Sequence, residues 1–184
     1  TDSPWLGLLA AMFAGMGVSW LLALFAINNR VEQVIVGVVL NVLVSGLTGF
    51  LYSQVLQSDP QRLNYATRFP TFEIPVLSDI PILGPALFNQ SILVYLMYLM
   101  VPAVWIGLYR TRWGLRLRAV GEHPKAADTM GINVNRTRWR AVLLAGAVAG
   151  MGGAFYTVVS VASFTKDLTA GAGFIALAAV LFGQ

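Results

Sequence analysis

The sequence contains no cysteine, a single histidine and few charges of either sign. Without cysteine there is no disulfide and no thiolate metal site. The lone histidine, His123, has no second histidine near it; a metal site takes several ligands, so it reads as a solvated loop residue. Charged residues make up 11% of the chain, against about 25% in a typical soluble domain. Asp, Glu, Lys, Arg and His are absent altogether from residues 5–27, 34–52, 91–109 and 141–164. Carriers driven by protons or ions commonly place ionisable groups inside the membrane. Their absence argues against that class and leaves a solute gradient or a partner protein as the source of energy. No HExxH, GxSxG or paired carboxylate lies in these stretches, which argues against an intramembrane enzyme.

What fills the chain instead is apolar. Hydrophobic residues make up 57% of it and the mean hydropathy is +0.71. They come in long uncharged blocks, and a block of about 18 or more such residues reads as a transmembrane helix. The four stretches above are complete spans, and residues 168–184 form a fifth, partial one. The expected fold class is an all-α integral membrane protein, a polytopic helical bundle in one transmembrane domain over 1–184. The chain begins Thr-Asp-Ser-Pro and ends Phe-Gly-Gln, still apolar, and is expected to be a piece of a longer protein cut at both ends. Eight of the twelve Lys and Arg residues fall between Arg110 and Arg140. Their place beside membrane spans is the positive-inside pattern, not a nucleic-acid surface. Residues 110–140 and Arg30 are thereby placed inside, and the segment 53–89 and the turn near Lys166 outside. The outer parts carry Asp2, Asp59, Glu73, Asp79 and Asp167 against Arg62, Arg68 and Lys166.

Within the spans the polar and small residues are periodic. Ala11, Gly15, Ser19 and Ala23 recur every fourth residue, as do Gly37, Asn41, Ser45 and Gly49, and then Gly146, Gly150 and Ala154. Such stripes let helices approach closely in lipid. Asn41 is an amide in hydrocarbon and needs partners, either a neighbouring helix or a wet pathway. Gly46-Leu-Thr-Gly-Phe-Leu-Tyr52 echoes Gly150-Met-Gly-Gly-Ala-Phe-Tyr156, too briefly to carry an internal repeat on its own. Pro102 is expected to kink the third span, and Tyr98, near its middle, to pack internally or line a cavity. Five of the eight prolines (Pro60, Pro70, Pro75, Pro81 and Pro85) lie in the outer segment, which is therefore expected to be extended or turned. It is either an inert loop or a docking surface. Gly171 and Gly173 lead into the apolar run that begins at Phe174. They make either a flexible turn or a helix start whose N–H groups meet a polar ligand.

The one long polar segment lies between the third and fourth spans. Pro124 is suited to a first helical turn, Lys125-Ala-Ala-Asp-Thr-Met130 continues it, and Gly131 is placed as a left-handed stop. Two turns do not hold alone and need packing. Ala126, Ala127 and Met130 offer a shallow apolar face flanked by Glu122 and Asp128, of a kind that fits a groove on another protein. The bland alternative is a solvated basic loop that fixes topology. Asn133 or Asn135 is expected to cap the next helix and set Arg136, Arg138 and Arg140 toward lipid headgroups.

Arg118-Ala-Val-Gly-Glu-His-Pro-Lys-Ala-Ala-Asp-Thr-Met-Gly-Ile-Asn-Val134 resembles the cytoplasmic coupling motif of permease subunits of bacterial ABC importers. More narrowly, the chain is similar to the branched-chain amino acid/ribose permease superfamily, in its simple-sugar and nucleoside branch. Leu77-Ser-Asp-Ile-Pro-Ile-Leu-Gly-Pro85 and Thr169-Ala-Gly-Ala-Gly-Phe-Ile-Ala-Leu-Ala-Ala-Val-Leu-Phe-Gly183 support the likeness. The resemblance implies a helical, multi-pass subunit of the bacterial cytoplasmic membrane that imports a sugar or nucleoside. Its implied partners are a second permease subunit, a cytoplasmic ABC ATPase and an extracytoplasmic substrate-binding protein. It implies no cofactor on this chain, since ATP would sit on the ATPase. It places coupling on Gly121, Glu122, Pro124, Ala126, Ala127, Met130 and Gly131, and suggests Asn41, Gly171, Gly173 and Phe174 for the translocation path. A passive channel for small polar solutes, or a membrane scaffold, are the alternatives; neither needs a coupling segment.

Overall fold

The computed structural model describes residues 4–56, 71–73, 89–161, 163 and 168–183. Four helices are long and apolar enough to cross a membrane. The first, α1 (Pro4–Ala23), opens on a proline, which costs nothing in a first turn, and continues through a wider π turn at Leu24–Asn28. The second, α2 (Gln33–Leu51), ends in a π turn at Tyr52–Leu56. Two three-residue strands follow, β1 (Thr71–Glu73) and β2 (Asn89–Ser91), paired antiparallel with Phe72 opposite Gln90. The rest of the outer segment, with all five of its prolines, lies outside the described residues. From β2 the chain enters α3 (Ile92–Arg110), which runs on through Pro102 without ending. Of the two expectations for Tyr98, internal packing is not what the structure shows: it lies on an exposed side of α3, edge-on to Tyr95.

Two shorter helices occupy the polar segment, α4 (Arg112–Glu122) and α5 (Pro124–Thr129). Then comes α6 (Val134–Phe155), which passes into a π turn at Tyr156–Val161. The last helix is α7 (Ala172–Phe182). The two echoing stretches therefore share a structural event: in each, the α-helical ladder widens into a π turn at the tyrosine, Tyr52 or Tyr156.

The main packing is α1 against α6, antiparallel. Lipid tails are as apolar as leucine, so burial gives no drive for helices to associate in a membrane; close contact does. The two small-residue stripes supply it by meeting each other. A Cβ on Gly15 would lie 3.0 Å from the Gly150 Cα and closer still to the Gly146 carbonyl. A Cβ on Gly146 would strike the Ser19 side chain, and one on Gly150 the Ala11 carbonyl. Ala23 is wholly buried. At one end of this seam Leu8, Leu93, Ala154 and Val158 form a core that joins α3 to the pair. At the other, basic end, the Trp139 indole stands edge-on to Trp20 and donates to the Asn28 side-chain oxygen at 3.3 Å. By contrast α2 has only light contact with α1, and α7 packs extensively on no other element among the described residues.

Candidate functional site

The candidate site is built where α3 leaves the bundle. Thr111 has an extended backbone (φ −104°, ψ 153°) and ends α3 there. Its hydroxyl donates to the Gly107 carbonyl and accepts from the Gly114 N–H at 3.1 Å, so one side chain both closes α3 and caps α4. Helix α4 was not expected from the sequence. Its signal is present: Trp113, Leu117 and Val120, at helical spacing, are its more buried side chains, and Val120 is 1% exposed. Arg112, Arg116 and Arg118 occupy the exposed positions between them. In a short helix lying beside a membrane, those charges mask the apolar spacing.

His123 breaks the chain (φ −136°, ψ 81°), and Pro124 starts α5 in the first turn, as its sequence position implies. The end of α5 is a full Schellman closure. Gly131 stands at φ 79°, its N–H donates to the Asp128 carbonyl at 2.9 Å, and the Ile132 N–H donates to the Ala127 carbonyl at 3.0 Å. The Asn133 side chain, not Asn135, then caps α6 by accepting from the Arg136 N–H at 2.9 Å. Asn133, Asn135, Arg136, Arg138 and Arg140 are not buried, and the last three are exposed.

The apolar face expected on α5 divides in two. Ala127 is 5% exposed: it points into the protein, where α5 packs on α4 and on the start of α6, and cannot meet a partner directly. Packing by Ala127 is what a two-turn helix needs to persist. Ala126 is exposed, and Met130 is 81% exposed, flanked by exposed Glu122 and Asp128. Gly121 is also exposed, and an added Cβ there would meet nothing within 4 Å. Among the described residues, no contact requires glycine at 121.

The residues suggested for a translocation path lie elsewhere, on α2 and at the entry to α7. Asn41 sits midway along α2 with its side chain exposed, next to buried Leu40, and makes no hydrogen bond among the described residues. Gly171 precedes α7 at φ 80°, a left-handed position that explains glycine there, while Gly173 is exposed and Phe174 is 70% exposed. The structure does not pack α2 closely against α7.

Comparison with known proteins covers the whole chain. Over 183 residues it is 39% identical to the nucleoside ABC transporter permease protein NupC of Lactococcus lactis subsp. cremoris, spanning 99% of this chain and 57% of the relative. It is 40% identical to the guanosine ABC transporter permease protein NupQ of Bacillus subtilis, with the same shares of each chain. A putative glucose ABC transporter permease of Haloferax volcanii is 37% identical over 100% of this chain and 55% of its own length. The chain thus spans a little more than half the length of these relatives. No solved structure matches it. The family described as branched-chain amino acid transport system / permease component matches residues 1–184 from end to end. With four helices long and apolar enough to cross a membrane and a match along its whole length, the chain belongs to the branched-chain amino acid transport system / permease component family.

Proposed function

We propose that this chain forms much of the membrane-spanning subunit of an ATP-driven importer, with a nucleoside as the favoured solute and a simple sugar second. The names of two relatives, a nucleoside and a guanosine permease, set that order. The observation that carries the coupling role is the Schellman-closed α5, held to the protein by buried Ala127 while Ala126 and Met130 stand exposed on it. A six-residue helix built this way is a fixed knob for a groove. Its occupant is a cytoplasmic ABC ATPase, which holds and hydrolyses the ATP; this chain binds none. A second permease subunit completes the path, and an extracytoplasmic binding protein delivers the solute. ATPase closure displaces residues 121–131, and the attached spans rock to exchange outward for inward access.

The test is Ala126→Asp in the full-length permease with Ala127 unchanged. A buried unpaired polar group costs about 1–3 kcal/mol and a charge more, so at least about a tenfold loss of ATPase affinity is expected. Membrane insertion should not change, because residue 126 is exposed on its own protein. Co-purification of the ATPase at the wild-type ratio, with normal uptake, would remove α5 from the interface.

A further inference from the structure

Three independent contacts clamp one joint, the elbow between α3 and α4. The Thr111 hydroxyl bridges it, from the Gly107 carbonyl to the Gly114 N–H. Gly114 is buried so closely that a Cβ would strike the Gly107 and Leu108 carbonyls. Across the outside, the Arg118 guanidinium of α4 lies 4.7 Å from the centre of the Tyr109 ring of α3. Trp105 stacks behind Tyr109 at 6.0 Å and 29°. Tyr109 and Trp105 are 52% and 53% exposed, so this ladder is not core packing. What it adds is a fixed angle between two helices. The link from α5 to α6 through Gly131, Ile132 and Asn133 is closed by local hydrogen bonds, and among the described residues no aromatic or cation–π contact spans it.

We infer that Arg118, Tyr109 and Trp105 are positioning residues that make the α3–α4 elbow a rigid lever, so that displacement of the coupling segment enters the membrane through α3. The inference rests on the coupling role proposed above. It adds which span receives the motion and which side chains carry it. A cation over an exposed aromatic face is worth about 0.5–1 kcal/mol, enough to bias the angle of a joint that the other two contacts hold close. Tyr109→Leu removes the ring, Tyr109→Phe keeps it, and Arg118→Gln removes the cation without touching α3.

Spin labels on the complete, ATPase-bound transporter test this without knowledge of the solute. One pair, V101C with R116C, spans the elbow. The other, V101C with F13C, reports α3 against α1; all three positions are exposed. On adding ATP with vanadate, the elbow distance should stay constant and the α3–α1 distance should shift. In Tyr109→Leu and Arg118→Gln the ratio of shifted to unshifted α3–α1 populations should fall about two- to fivefold, the range an exposed cation–π contact supports, and Tyr109→Phe should restore it. If Tyr109→Leu does not accumulate, Arg118→Gln decides alone. An elbow distance that changes in the wild type overturns the inference, as does an α3–α1 shift that is absent there or equal in Arg118→Gln. Loss of ATPase from the wild-type complex would instead count against the coupling reading itself.

Discussion

Gly131 and Gly121 bracket the proposed coupling segment, and the structure makes different demands on the two. Gly131 has φ 79° and closes α5 through the Gly131 and Ile132 N–H groups. An alanine there meets the left-handed penalty of about 1–2 kcal/mol. Because the closure is local, the cost should appear as local opening rather than global unfolding. Gly131→Ala is expected to speed hydrogen exchange of the Ile132 amide by about tenfold, while Gly131→Asn, which tolerates that conformation, changes it little. Equal exchange rates in the alanine variant and the wild type would show that the closure is not what holds α5. Gly121 carries no such demand: it lies near the end of α4, and an added Cβ meets nothing. Gly121→Ala should leave the fold intact or firm α4 slightly, since alanine is the better helix former by up to about 1 kcal/mol. Weaker ATPase binding in that variant would then report a contact from outside the chain. Unchanged binding would leave Gly121 without a role in coupling.

At the scale of elements, the α1–α6 seam is the most constrained surface. Its glycines sit where backbone meets backbone, so no side chain can rotate away. Gly150→Leu would drive four carbons into the Ala11 and Met12 backbone. Overpacking of this kind costs about 1–3 kcal/mol or more, and here it should part the helices. A lower melting temperature in detergent and faster proteolysis of α6 are expected, whereas Gly152→Leu, which faces open space, should do neither. Matching stabilities for the two variants would mean the seam does not govern the bundle. The seam also marks how far the sequence can be read. Both stripes are visible at their four-residue spacing, and so are the spans, the Pro124 start and the Gly131 stop of α5. Which stripe meets which is not written in either one, because small-residue spacing is the same for every partner. The same limit applies to Ala127. Its type suits a partner groove or a tight internal contact equally, and only packing on α4 and α6 decides for the inside. Helix α4 was hidden because Arg112, Arg116 and Arg118 dilute the signal from Trp113, Leu117 and Val120.

Across the whole molecule, the helices are unevenly packed. α1 and α6 pack on each other and α3 joins their core through Leu93, while α2, α7 and the rest of α3 expose most of their apolar side chains. Relatives are nearly twice as long, and a helix that is apolar all round is covered by other helices or by lipid. Asn41 tells these apart for one face of α2. Left against lipid tails, its unpaired amide would cost several kcal/mol, and Asn41→Leu would then stabilise the protein and leave uptake unchanged. Set on a polar pathway between subunits, the same replacement removes a hydrogen-bonding group that the solute or its water uses. We expect the second outcome: uptake of a radiolabelled nucleoside, the proposed solute class, falls or changes selectivity in Asn41→Leu, while the ATPase still co-purifies at the wild-type ratio, because α2 lies apart from α5. A variant that is more stable and transports normally would assign Asn41 to the lipid face. Reduced uptake with reduced ATPase binding would point to a general packing role, since a group acting only on the solute has no route to the coupling segment.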